Sequence, residues 1–180
     1  MSEVIKGSST RIKFEGVFDW NELYSMITGW VFSKKFDYYE RNNVKKAGTY
    51  GYERELKAEI ERDESGYVKH LLVIHIHAYH IEDIEVSENG HKKKKNRTGM
   101  MTIELSPSVE LDWQSKWDKK FKKKARDFMH KYIMHGYVQE QLDKIYYEMY
   151  KLQTKIKEEL KWRPNTRHIK RWKEKYWSAI

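Results

Sequence analysis

The sequence predicts an α+β domain: a curved antiparallel β-meander with one N-terminal helix and a long C-terminal helix, plus a short basic C-terminal helix. Three observations carry that prediction. Residues 67–86 (YVKHLLVIHIHAYHIEDIEV) alternate apolar and polar side chains over a length that suits one long strand. Turn signals on either side of this strand set registers that bring apolar faces together. After residue 113 the apolar residues recur at threes and fours, the spacing of helices.

Residues 9–17 read as a short strand, with Thr10, Ile12 and Phe14 on one face and Arg11, Lys13 and Glu15 on the other. A helix follows. Asp19 is its N-cap and Glu22 a capping-box partner, Phe18 and Leu23 form a hydrophobic staple, and Leu23, Ile27, Trp30 and Val31 make the buried stripe. Lys34 and Lys35 fall in its last turn, where the helix dipole favours cations. Residues 36–43 predict a strand closed by a turn at Lys45-Lys46-Ala47-Gly48.

Residues 49–62 predict another strand. Tyr50, Tyr52, Leu56, Ala58 and Ile60 face inward, and Glu53, Glu55, Lys57, Glu59 and Glu61 make an acidic outer face. A three-residue loop ending in Gly66 joins it to the long strand and pairs Asp63 with Tyr67. That register sets Glu55 opposite His75 and Glu53 opposite His77. Asn89-Gly90 suits a two-residue type I′ turn, so Glu88 pairs with His91. Met101, Ile103, Leu105, Val109 and Leu111, on a strand over 97–113, then meet the inner face of the long strand, with Glu104 beside His75 and Thr102 beside His77.

Trp117, Phe121, Ala125, Phe128 and Tyr132 predict a helix that Gly136 breaks or bends. Val138, Leu142, Ile145, Met149, Leu152, Ile156 and Leu160 predict a second helix, lying on the sheet or pairing as a coiled coil, and Trp162-Arg163-Pro164 ends it. The element order is similar in outline to helix-grip folds, and no residue motif transfers any family's function.

Residues 1–162 are therefore one α+β domain and residues 163–180 a basic aromatic tail. A chain of 180 residues supports one good core. It has no cysteine, which removes disulfides and thiolate metal sites and fits a reducing compartment. The N-terminal residues lack the apolar core of a secretory signal, and no run approaches the ~18 apolar residues of a membrane span, so the expected location is cytoplasmic. No nucleotide loop or nucleophile motif is present, and the expectation is a non-enzymatic protein without a cofactor.

The net charge of +9 is concentrated: residues 91–97 carry +5, residues 116–131 carry +6 and residues 161–180 carry +6, leaving −8 elsewhere. Lys92, Lys93, Lys94, Lys95 and Arg97 form a candidate phosphate-binding finger at a hairpin tip, and Lys119, Lys120, Lys122, Lys123 and Lys124 a second candidate anion site. In the tail, Arg163, Arg167, Lys170, Arg171 and Lys173 interleave with Trp162, Trp172, Tyr176 and Trp177. This mixture suits docking on protein, stacking on nucleic acid or lying in an anionic membrane surface. His75 and His77, two apart on one strand face, are with Glu55 and Glu104 the candidate divalent-metal ligands, against a simpler cross-strand ladder of Glu and His.

These features predict a structural or interaction protein that self-associates or joins a larger complex through its tail. Nucleic-acid or ribosome association through the Lys/Arg clusters is the alternative. A third reading is a pocket for an apolar small molecule lined by Tyr50, Tyr52, Met101 and Trp30.

Overall fold

The computed structural model describes residues 2–48, 50–88, 91–114 and 135–162. The chain runs through β1 (Glu3–Lys6), β2 (Thr10–Phe18), α1 (Trp20–Ser33), β3 (Asp37–Ala47), β4 (Tyr52–Asp63), β5 (Val68–Glu88), β6 (His91–Leu111) and α2 (His135–Glu159). Among the described residues this is an α+β fold with an antiparallel sheet and two helices. The strand order is β1-β6-β5-β4-β3, with β2 also on β6. β1 and β2 share one edge of β6, β1 along its last residues and β2 along 96–105. The predicted helix over 117–132 and the predicted short basic C-terminal helix lie outside the described residues.

The sheet uses one face for its core. Leu56, Ala58 and Ile60 from β4, Val68, Leu72, Ile74, Ile76 and Ala78 from β5, and Met101, Ile103, Leu105, Val109 and Leu111 from β6 are all buried. Both helices cover that face. α1 contributes Trp20, Leu23, Ile27, Trp30 and Val31, and α2 buries its whole predicted stripe from Val138 to Leu160 against the same cluster, so it lies on the sheet.

The β5–β6 register is the predicted one. Glu88 pairs with His91, His75 with Glu104 and His77 with Thr102. The β4–β5 register is displaced by two residues: Asp63 pairs with Lys69, Lys57 with His75 and Glu55 with His77. The loop is longer than three residues because Ser65 wraps it, its hydroxyl accepting from the backbone N–H groups of Tyr67 and Val68 at 3.3 and 3.1 Å. Trp113 Nε1 ties the same loop down through Ser65 O at 3.0 Å. A slip of two keeps every side chain on its predicted face, which a slip of one would have reversed.

Three element boundaries differ from the sequence reading. β3 runs on to Ala47, so Lys45, Lys46 and Ala47 are strand and not turn. β6 begins at His91, because the ladder that opens with Glu88 and His91 pairs the lysine run with the end of β5. β4 begins at Tyr52, leaving Tyr50 and Gly51 before the strand, while the residues that decide whether Gly136 breaks the predicted 117–132 helix lie outside the described ones.

α1 starts as predicted. The Asp19 carboxylate accepts from the N–H groups of Asn21 and Glu22 at 2.8 and 3.1 Å. Both helices end in Schellman turns with lysine in the left-handed position, Lys35 at φ 57° and Lys161 at φ 47°. Phe36 N bonds to Val31 O and Lys35 N to Phe32 O after α1, while Trp162 N bonds to Lys157 O and Lys161 N to Glu158 O after α2. Lys34 and Lys35 thus lie at and past the cap rather than within the last turn.

β5 and β6 kink together at His80 and Gly99. His80 has φ 51°, and the buried positions shift from Ala78 to Ile81 on β5 and from Met101 to Thr98 on β6. The Thr98 hydroxyl secures the kink by donating to Tyr79 O at 2.7 Å. Beyond it the two strands continue as an arm.

His70 is the polar member of the β5 core face that the alternation passed over. It is fully buried, with Nε2 3.2 Å from Gln141 Oε1 on α2 and Nδ1 3.8 Å from Glu64 Oε2. Burial pushes its pKa down. Glu64 opposes that and Arg62 reinforces it, while the Gln141 bond favours and Lys144 disfavours the charged ring. A depressed histidine leaves stability full above the unfolded value near ~6.5 and removes it as pH falls from there towards the folded value, by about 1.4 kcal/mol per pH unit of separation. Urea unfolding between about pH 7 and about pH 5 should therefore show a steeper acid loss for the native chain than for His70→Gln. Equal slopes would exclude His70 as the source.

Candidate interaction surface

The opposite face of the sheet carries no cover among the described residues. On β4 it presents Glu53, Glu55, Glu59 and Glu61, and on β6 Glu104 and Glu110, so an acidic lane runs along β4 with two further carboxylates across β5. β5 lays His75, His77 and Tyr79 down its middle. Lys57 interrupts the row opposite His75, and other cations stand around it: Arg11 holds Glu104 at 2.9 Å, Arg41 holds Glu59 at 2.8 Å and Lys69 reaches Glu61 at 3.3 Å.

The histidines make separate pairs. His75 Nε2 lies 3.0 Å from Glu55 Oε1, a diagonal contact since Lys57 stands directly opposite, and His77 Nε2 lies 3.7 Å from Glu53 Oε2. The His75 bond, against a smaller effect of burial, holds the Glu55 carboxyl below its usual range, with His77 and Lys46 adding to it. The His77 ring stacks on Tyr79 at 3.8 Å, and the Tyr79 hydroxyl lies 2.8 Å from His77 Nδ1. Glu104, although paired with His75 along the ladder, turns to Arg11. The candidate ligand set His75, His77, Glu55 and Glu104 is thus divided among different partners. Among the described residues no three His, Cys, Asp or Glu side chains are grouped to hold an ion.

The lysine run lies in strand, at the start of β6. Lys92, Lys93, Lys94, Lys95 and Arg97 pair with Ser87, Val86, Glu85, Ile84 and Glu82, and Lys92 Nζ lies 3.6 Å from Glu85 Oε2. Lys94 and Arg97 thus stand opposite Glu85 and Glu82, which offsets part of the positive field of the run. Neighbouring Asn96 has a structural task that its sequence context did not signal. Its Nδ2 donates to Asp83 Oδ1 at 2.8 Å and to the Tyr52 hydroxyl at 3.0 Å, and its Oδ1 accepts from Trp20 N at 3.1 Å, fastening the start of α1 to the arm. Burial, with the hydrogen bond to Asp83, pushes the Tyr52 phenol up to about 12.

The four side chains expected around one apolar pocket are not gathered. Met101 is fully buried, Tyr50 is exposed, Tyr52 is held by Asp83 and Trp30 packs under the C-terminal end of α1, stacked on Phe36. Arg54, on the inward side between Tyr52 and Leu56, fills part of that space with its guanidinium 4.2 Å from the Trp20 ring centre.

Of the predicted docking residues, Trp162 is engaged within its own domain. It is part-buried against the core, its indole N–H donates to Lys13 O at 2.9 Å, and Lys157 Nζ lies 5.0 Å from its ring centre. Arg163, Arg167, Lys170, Arg171, Trp172, Lys173, Tyr176 and Trp177 lie outside the described residues, as do Lys119, Lys120, Lys122, Lys123 and Lys124. No helix among the described residues is long and apolar enough to cross a membrane. Comparison with protein-family models and with curated proteins finds no match to this chain.

Proposed function

We propose that this is a non-enzymatic assembly protein that self-associates, or joins a larger complex, through residues 163–180, with the acidic outer lane of the sheet as the receiving surface. One observation carries the reading. The Trp162 bond to Lys13 O delivers the chain to the edge of the outer face, at the row Lys13, Thr102, His77 and Glu55 that crosses the lane. Strands about 4.8 Å apart put Glu55 within roughly 15 Å of that edge. A segment of +5 charge carrying Trp172, Tyr176 and Trp177 complements the carboxylates there. Binding to nucleic acid is the weaker reading, since part of the charge over residues 92–97 is answered on the neighbouring strand, Lys94 and Arg97 standing opposite Glu85 and Glu82.

Deleting residues 163–180 tests this. The truncated chain should keep its thermal stability to within about 0.5 kcal/mol, because Trp162 and the buried stripe of α2 remain. Light scattering should show a loss of the assembly that the full chain forms. A strongly destabilised product, or unchanged association, would overturn the proposal. Mass that collapses steeply with salt, together with a nucleic-acid absorbance ratio, would instead support phosphate binding.

A further inference from the structure

A second surface stands apart from the sheet. Between the C-terminal end of α1 and the outer side of α2 lies an open groove of about 540 Å³, within the range of small-molecule sites. Its walls are mainly Trp30, Tyr147 and Tyr150, and its polar groups include Lys34, Lys151 and Lys155. Tyr147 and Tyr150 are 69% and 49% exposed, an unusual placement for two large aromatics one turn apart.

The charge around the groove is unbalanced. Glu148 is the carboxylate that answers its lysines, and it is shared: Lys34 Nζ lies 3.3 Å from it and Lys151 Nζ 3.2 Å. Burial raises the Glu148 carboxyl, but the bonds from Lys151 and Lys34 outweigh that and hold it below its usual range. Lys155 has no anionic partner among the described residues, so the groove carries surplus positive charge. A separate sign of incompleteness is Trp30, whose buried Nε1–H has no acceptor among the described residues.

We propose that this groove binds a long-chain carboxylate, its apolar body lying against Tyr147, Tyr150 and Trp30 and its head group meeting Lys155. Charge selects this occupant. A second copy docking the same face about a two-fold axis would set lysine against lysine. The basic residues 163–180 would be repelled in the same way.

The experiment is calorimetric titration of the full chain with dodecanoate below its micellar concentration. One-to-one binding is expected, at least about 10-fold weaker in Lys155→Glu, where the head group loses its cation. Thr154→Trp, which places an indole in the groove, should abolish binding, and both positions are exposed, so neither change threatens the fold. Dodecyltrimethylammonium, with the same chain and the opposite charge, should bind at least about 10-fold more weakly. Absence of dodecanoate binding, equal affinity in both variants, or equal affinity for the cationic probe would overturn the proposal. Displacement of dodecanoate by a single-stranded oligonucleotide would overturn it in favour of a base-stacking site.

Discussion

Gly51→Ala is expected to cost roughly 2–4 kcal/mol of folding stability, out of proportion to the methyl group it adds. Two independent penalties act at this position. Gly51 has φ 84°, in the region that side-chain-bearing residues avoid. A Cβ built there would also stand 2.4 Å from Ile81 O, a backbone atom that cannot swing aside. The site matters because Ile81 is where β5 resumes burial after the kink at His80, and Tyr52 pairs with it across the ladder. Gly29 provides a control of opposite sign. It lies within α1 with nothing inside 4 Å of an added methyl, so Gly29→Ala should stabilise by about 0.5–1 kcal/mol. Thermal or urea unfolding of the two variants checks both, and a neutral Gly51→Ala would mean that the Gly51–Ile81 approach relaxes without loss.

The faces of the strands were legible because alternation at a period of two depends only on parity. That is why a β4–β5 register displaced by two residues still buries Leu56, Ala58 and Ile60. Loop length was not legible, since it rests on the Ser65 hydroxyl and on Trp113, whose role depends on where β6 ends. β1 escaped notice because its edge pairing involves few apolar side chains, with Val4 exposed. The kink at His80 was hidden for a different reason: a histidine in left-handed geometry has no composition signal such as glycine supplies. Lysine at both Schellman positions hides the helix ends in the same way.

The candidate surfaces were legible only in part. Glu53, Glu55, His75 and His77 were placed on one wet face by pattern alone, and the expected partners meet, Glu55 with His75 and Glu53 with His77, although across a diagonal because the register is displaced by two. The role of Trp162 could not be read at all, because its partner is the backbone carbonyl of Lys13, distant in sequence and offering no side-chain cue. The groove beside α2 was masked by the helix's own regularity. Its buried stripe accounts for the apolar periodicity, so Tyr147 and Tyr150 read as ordinary surface residues.

That division of α2 into two stripes gives the second large effect. Ile145→Ala should lower stability by about 2–4 kcal/mol, because Ile145 is fully buried in the middle of the stripe that seats α2 on β5, β6 and α1. Removing its outer carbons leaves a cavity whose neighbours, Leu142, Met149 and the sheet, are fixed by their own packing. Tyr147→Ala, two residues on and largely exposed, removes more atoms from the same helix but should change stability by less than about 0.5 kcal/mol. Equilibrium urea unfolding of the two variants measures the contrast. A small loss for Ile145→Ala would mean that α2 rests loosely on the sheet, and a large loss for Tyr147→Ala would make the exposed tyrosines part of the fold instead of a surface free to meet a ligand.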